Sequence, residues 1–417
     1  MTAPTKPLSV PQLGAVVAGN ALEFYDFLTF SFFAVQIGAV FFPGHDATES
    51  LLLTLATFGV GFLTRPLGGA MIGPLGDRLG RKPAMLFCFG LMGVSIVGLA
   101  LTPSYARIGI AAPILVVMFR LLQGFALGGE VGPTTAFLLE AAPASARGRY
   151  VSLQHATQKL STLCAGLMGL VLANLLSPQQ LIDWGWRIAF LLGAAVVPVG
   201  LLIRKNLPET LAAQTQRPAR LSPAQLWLWL LGLLMLASNT ISTYTMNYLS
   251  TFGMHTLGIP AAKAFAATVM VGVSGTLGAL LSGVLSDRIG RKPVMIGGAA
   301  VLLLLGLPCF FMISQLKTLP ALLAGASLMS LADGIYGPAI LAGLSESLPA
   351  SLRAGSLGIV YALAISCFGG SAQFVATWLI AATGSPLAPA WYMSAALLLG
   401  LVGMAGLRET APIKLGG

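Results

Sequence analysis

Gly73-Pro-Leu-Gly-Asp77-Arg78-Leu-Gly80-Arg81-Lys82-Pro83 returns 210 residues later as Gly283-Val-Leu-Ser-Asp287-Arg288-Ile-Gly290-Arg291-Lys292-Pro293. A second block, Glu140-x-x-Pro143-Ala144-Ser145-x-Arg147, returns after 206 residues as Glu346-x-x-Pro349-Ala350-Ser351-x-Arg353. Both offsets are close to half of the 417 residues. The chain therefore reads as two related units, 1–203 and 223–417, joined by a linker at 204–222. Internal repeats of this kind mark transporters that rock two bundles about a site at the membrane midplane.

What surrounds these blocks is apolar. Hydrophobic residues make up 56% of the chain and charged residues only 9%, with a mean hydropathy of +0.86. A soluble domain carries about 25% charge, so lipid is the solvent for most of this surface. A soluble enzyme, a disordered scaffold and a nucleic-acid binder are excluded. Uncharged windows cover 83–106, 160–182, 188–203, 221–262, 264–286, 293–316 and 354–407, the last with a turn at Gly384-Ser385-Pro386. Equally apolar segments at about 12–42, 50–75, 108–139 and 318–346 contain embedded charges. With about 20 residues per crossing, this predicts an all-α membrane protein of twelve spans.

The basic residues set the orientation. With the N-terminus inside, sixteen Lys and Arg fall on the cytoplasmic side and only four (Arg107, Arg187, Lys263, Lys317) in outer loops. The remaining three, Arg65, Arg120 and Lys159, lie within spans. Both termini are then cytoplasmic, and the net charge of +10 is topology, not a nucleic-acid footprint. The N-terminus lacks a signal-peptide layout, so the first span is expected to be retained. Cys88, Cys164, Cys309 and Cys367 sit in apolar stretches without metal-ligand spacing and read as reduced.

The repeated G-x-x-x-D-R-x-G-R-K resembles the signature of the major facilitator superfamily, and Arg120-Leu-Leu-Gln123-Gly124 resembles its fourth-helix motif. Four further stretches are similar to the metabolite:proton symporters: Gly19-Asn20-Ala-Leu-Glu23-Phe-Tyr25-Asp26-Phe27, Arg65-Pro66-Leu-Gly-Gly, Leu-Gln123-Gly124-Phe-x-x-Gly-Gly129-Glu130 and Trp184-Gly185-Trp186-Arg187. Tyr248-Leu-Ser-Thr-Phe-Gly253 and the stretch around Gln154 resemble the citrate and tricarballylate symporters within that family. The resemblance implies two pseudo-symmetric six-helix bundles working by alternating access. It also implies a cytoplasmic gate of Gly73, Asp77, Arg78 and Arg81 with Glu140 and Arg147, mirrored by Asp287, Arg288 and Arg291 with Glu346 and Arg353. Independently, Asp77 is placed to cap a helix of the other half, where a carboxylate meets the positive end of the helix dipole.

Ionisable groups inside a bilayer are costly and normally face a cavity. The first half holds Glu23, Asp26, Arg65, Arg120, Glu130 and Lys159, the second half Asp333 alone. This asymmetry assigns proton coupling to the first half. Glu23 and Asp26 share a helix face at i, i+3, and either is a candidate carrier. The resemblance supplies the expected partner, a span 1 Asp facing the span 4 Arg120. Glu130 reads either as part of the conduit or as a hydrogen-bonded group at a Gly-rich contact, and Arg65 as a structural residue that snorkels.

Span 5 carries Gln154, His155, Gln158 and Lys159 as one polar patch at i, i+4 spacing. Lys159 reads as a second positive charge beside Arg120, fit for a polyanion, or as the partner of Glu23 or Asp26. Span 7 offers two stripes, Asn239/Thr243/Asn247 and Thr240/Tyr244/Tyr248/Thr251, as neutral hydrogen-bonders. Asn20, Tyr336, Tyr361 and Gln373 complete the candidates. No nucleotide loop, metal cluster or nucleophile elbow appears, so neither an enzyme nor a cofactor is expected, the proton-motive force being the energy source. The expected protein is a monomeric, multi-pass symporter of the bacterial inner membrane, carrying protons and a small organic anion, citrate or tricarballylate. A dicarboxylate or zwitterionic osmolyte carrier, or a non-transporting anion sensor, are the alternatives.

Overall fold

The computed structural model describes residues 20–21, 24–79, 81–128, 135, 138–139, 142–205 and 223–414, without the side chains of 73–85, 196–197, 199–205, 224, 350–352 and 354. Glu23, Glu130, Glu140, most of the 204–222 linker and the side chains of Gly73, Asp77, Arg78 and Arg81 lie outside the described residues.

Everything regular among the described residues is helical. Span 1 is Phe24–Phe32 followed by Ala34–Phe41, bent by 68°. Span 2 is Ala47–Leu63 and Arg65–Leu79, span 3 Arg81–Leu101, span 4 Ala111–Leu127, span 5 Arg147–Leu175 and span 6 Trp186–Lys205. Span 7 is Pro223–Asn247 continued by Leu249–His255; span 8 is Ala261–Ile289, span 9 Arg291–Leu316 and span 10 Leu319–Ser347. Span 11 is Ala350–Ala364 and Gly370–Thr383 around a π-turn at Ile365–Gly369, and span 12 is Ala388–Gly406. Eight described helices are long and apolar enough to cross a membrane, nine if the bent pair is one span. Leu86–Leu101 and Ala111–Leu127 are apolar but shorter.

Burial is inverted relative to a soluble protein. Leu304, Val402, Trp391 and Met71 face outward, while Arg120, Lys159, Asp333, Gln154 and Asn247 are buried. Hydrocarbon does not drive Leu inward, so van der Waals fit and polar contacts hold the helices together. One core cluster draws almost wholly on residues after 223, including Met295, Phe310, Met329 and Leu397. The other draws mainly on the first half, including Phe27, Phe58, Met92 and Trp186. Spans 5 and 8 run against one another, and a Cβ on Gly272 would meet Leu163 N at 2.4 Å.

At the Arg/Lys-rich end the second repeat forms a network. Asp287, at the end of span 8, accepts from Gly148 N at 2.8 Å and Arg149 N at 3.1 Å, the first turn of span 5. Arg149 Nε and Arg291 Nη1 pair with the same carboxylate, at 3.3 and 2.7 Å. The carboxylate-on-helix cap expected of Asp77 is thus made by its repeat, Asp287. Glu346, expected to meet this block, takes Arg291 at 3.1 Å and Thr410 Oγ1 at 2.7 Å. Arg353 donates to Ser345 O at 2.7 Å. Arg291 comes from the start of span 9 and reaches between Asp287 and Glu346.

Glu409 closes this network from beyond span 12. Its carboxylate accepts from the backbone N–H of Arg291, Lys292, Thr410 and Ala411 at 2.9–3.0 Å. Partial burial alone would raise its pKa, but these four donors hold it below the ordinary 4.5. The contribution is therefore complete above about pH 4.5 and fades as pH falls through the lowered value. Glu409→Gln is expected to lower stability by about 1 kcal/mol at neutral pH, the scale of a lost helix cap. Thermal unfolding at pH 7 and at pH 3.5 checks this: the deficit should shrink in acid.

Candidate functional site

Between the two halves lies a cavity of about 40 Å³, lined by Phe24 and Leu28 (span 1), His155, Gln158, Lys159 and Thr162 (span 5), Asn239, Thr240, Thr243, Tyr244 and Asn247 (span 7), and Tyr361 and Ile365 (span 11). The i, i+4 spacing of each polar stripe turns these side chains to one side of its helix. His155 Nε2 lies 3.5 Å from Asn239 Oδ1. Four polar atoms make no well-formed hydrogen bond among the described residues, though Gln158 lies against the Tyr361 hydroxyl and Asn239 against that of Tyr336: His155 Nδ1, Gln158 Nε2, Asn239 Nδ2 and Asn247 Oδ1. Buried polar groups are nearly always satisfied, so a cluster of four beside one cavity points to a ligand.

Lys159 is not a lone cation, and among the described residues it does not pair with Asp26. Its Nζ lies 2.5 Å from Asp333 Oδ2 of span 10, both side chains being almost fully buried. Thr243 Oγ1 adds a hydrogen bond to Asp333 Oδ2 at 3.0 Å. Span 8 makes this reach possible, because a Cβ on Gly275 would sit 2.8 Å from Lys159 Cδ. The pair joins the two halves through charge. Asp333, whose isolation in the second half seemed to leave coupling to the first, is the partner that the sequence reading missed.

The expected Asp26–Arg120 pair does not form. Span 1 presents Phe27 and Phe30 to Arg120, with Asp26 about 100° from Phe27 and about 40° from Phe30 around the helix. Arg120 is boxed by the rings of Phe27, Phe30 and Phe58, with centroids 4.4–5.1 Å from its Cζ. It donates to Gln123 Oε1 at 2.5 Å and Phe58 O at 3.4 Å. Cation–π contacts of this kind hold a desolvated guanidinium. Arg65 stacks on Phe27 as well, at 4.5 Å. Asp26 faces span 6, so close to Gly193 that a Cβ there would lie 1.7 Å from Oδ1. That oxygen has no partner among the described residues.

Other candidates also leave the cavity. Asn20 Nδ2 donates to Gln154 O at 3.2 Å and Thr157 Oγ1 at 3.0 Å, tying span 1 to span 5. Gln154 Oε1 accepts from Thr135 at 2.7 Å. Tyr248 accepts from Thr377 at 2.8 Å, linking spans 7 and 11. Tyr336 donates to Ser242 Oγ at 2.9 Å, linking spans 10 and 7. Apart from Gln154 Nε2, which has no partner among the described residues, these polar tips meet neighbouring segments, which spacing along one helix cannot reveal. A second cavity, of about 400 Å³, opens at the end away from the Arg/Lys network, between Pro43–Leu51 and His255.

Residues 24–371 match the model of the Major Facilitator Superfamily. The chain is 34% identical to a citrate-proton symporter of Klebsiella pneumoniae, over 99% of this chain and 96% of that protein. It is 33% identical to an alpha-ketoglutarate permease of Escherichia coli K12, over 90% and 88%. Against a proline/betaine transporter of the same strain it is 30% identical, over 96% and 84%. In fold it superposes on a D-xylose-proton symporter with a TM-score of 0.76 at 20% identity, over 96% and 98% of the two chains. The chain is thus a multi-pass membrane transporter and belongs to the Major Facilitator Superfamily, among its metabolite:proton symporters.

Proposed function

We propose that the protein imports a small organic polyanion with protons by alternating access, and that citrate or tricarballylate is the substrate. The observation that carries this reading is the cluster of polar atoms beside Lys159 that lack a well-formed hydrogen bond. Two amide NH2 groups, Gln158 and Asn239, supply donors for carboxylate oxygens, and Lys159 supplies charge. The citrate-proton symporter relationship supports the same substrate class. The Asp287 network lies at the cytoplasmic end, as the sixteen-to-four distribution of basic residues requires, and the wider cavity then faces outward. It closes the inner path while substrate enters, and opens it when the halves rock. The chain acts as a monomer in the inner membrane.

Asp26 carries one of the protons, with Glu23, three residues earlier in the sequence, as the other candidate. Buried against span 6 with an unpartnered oxygen, Asp26 is shut off from the cations of the site and exchanges protons with water only when the outward path opens. Asp26→Asn is expected to abolish uphill accumulation in proteoliposomes and to leave substrate exchange in place. Normal accumulation by both Asp26→Asn and Glu23→Gln would reject the assignment.

A second reading has its own observation. Lys159 and Asp333 together present both signs of charge at one point, beside Phe24, Tyr244 and Tyr361, which suits a zwitterion with a quaternary ammonium. Counterflow with citrate, tricarballylate, alpha-ketoglutarate, betaine and proline decides. Citrate or tricarballylate giving the largest exchange supports the polyanion, and betaine or proline doing so replaces it. Absence of counterflow with any solute that still binds points to a sensor.

A further inference from the structure

We infer that Asp333 is a built-in substitute for a substrate carboxylate, and that it receives a symported proton when the substrate displaces it from Lys159. The inference rests on the transport of a carboxylate proposed above. Its starting point is a charge balance. Lys159 and Asp333 come from different halves, are almost fully buried and neutralise one another. A substrate carboxylate entering the cavity has Lys159 as its cationic partner on the cavity wall among the described residues. Taking that partner leaves Asp333 with Thr243 alone. A buried carboxylate stripped of its counter-ion is costly. One proton from the outer water, added to an Asp333 oxygen, removes the charge, and Thr243 then accepts a hydrogen bond from the acid in place of donating one. Substrate and proton load together because each removes the penalty that the other creates.

The surroundings favour Asp333 in this part. Span 5 faces it with Lys159 and His155, span 7 with the neutral Thr243 and Asn239, and its own helix with Tyr336. Spans 8 and 9 contribute glycine and aliphatic side chains at this depth, their ionisable residues Lys263, Asp287, Arg288, Arg291 and Lys292 lying at the ends. Lys159 is therefore the cation whose loss Asp333 would feel among the described residues. Release inside reverses the exchange: the proton leaves, Asp333 returns to Lys159, and the departing substrate cannot rebind without displacing it again. The ion pair is in this sense a resident competitor, and its strength sets which anions are accepted. An anion with a single weak contact is not favoured over Asp333, whereas one that also engages Gln158 and Asn239 is.

The test separates this exchange from the identity of the substrate. Asp333→Ala, with Asp333→Ser as a second variant, is purified and titrated with formate and acetate. A rise in melting temperature of several degrees is expected, absent from the parent and from Lys159→Ala/Asp333→Ala. No rise in either folded variant overturns the inference, whatever the protein transports. In parallel, citrate is titrated calorimetrically at a pH where it is fully ionised, in buffers of different ionisation enthalpy. The parent is expected to take up about one proton more per citrate than Asp333→Asn. Equal uptake by the two overturns the proton's assignment to Asp333. If formate stabilises Asp333→Ala but the parent binds no citrate, the tricarboxylate reading falls and the exchange on Lys159 stands.

Discussion

Replacing Lys159 by methionine is expected to lower stability by about 3–5 kcal/mol, the scale on which removing one partner of a buried ion pair acts. Asp333 would be left in a nearly solvent-free position with one hydrogen bond from Thr243. Asp333→Leu should cost a similar amount, since Lys159 would lose its counter-ion. The Lys159→Met/Asp333→Leu double variant is expected to lose far less than either single change. Two apolar side chains satisfy each other where one charge and one apolar side chain do not. Melting temperatures of the four proteins, purified under identical conditions, give the coupling directly. Additive losses would mean that the two groups do not meet. The same cycle has a functional arm, because the double variant keeps the helix packing but has no charge to exchange with a substrate.

Gly124→Val should prevent assembly of the first bundle, and Gly124→Ala should come close to doing so. A Cβ on Gly124 would lie 1.6 Å from the backbone oxygen of Gly61. The contact is repeated along the interface: a Cβ on Gly68 would lie 1.9 Å from Phe125 O, and one on Gly128 would lie 1.9 Å from Arg65 O. Spans 2 and 4 thus touch backbone to backbone, and the obstruction is a main-chain atom that cannot swing aside. The expected loss lies at or beyond the top of the roughly 1–3 kcal/mol usual for overpacking. Gly90 and Gly297 serve as controls, since a Cβ at either meets nothing within 4 Å. Alanine there should be tolerated or mildly stabilising, by about 0.5–1 kcal/mol for a helix interior. Monodisperse yield on size-exclusion chromatography distinguishes the outcomes.

How far the sequence could be read depended on whether one helix or two were involved. Helix positions followed from hydropathy, because an uncharged stretch of membrane length has few other fates. The repeated Asp-Arg-x-Gly-Arg-Lys block announced a carboxylate capping the opposite half, and Asp287 on Gly148 and Arg149 has that geometry. The cavity wall was legible where polar residues repeat at i, i+4, as Asn239, Thr243 and Asn247 do. Partner choice was not legible. Asp26 and Arg120 are separated by the rings of Phe27 and Phe30, and nothing in the spacing along span 1 tells which side meets span 4. Lys159 finds Asp333 because Gly275 leaves room for its stem, a fact belonging to a third helix. Tyr248 and Tyr336 have the right chemistry for a ligand and spend it on neighbouring helices.

The size of the central cavity has a kinetic consequence. About 40 Å³ has room for only a few water molecules, each needing about 10–15 Å³ on this scale. A tricarboxylate cannot enter until spans 1, 5, 7 and 11 draw apart, so encounter and capture are separate events. The apparent dissociation constant is then the intrinsic one divided by the fraction of molecules whose site is open. Association should level off at high ligand concentration, at the rate of opening, and fall below the ordinary range of about 10⁵–10⁷ M⁻¹s⁻¹. A substitution that widens this gap without touching a polar group would tighten binding purely by raising that fraction.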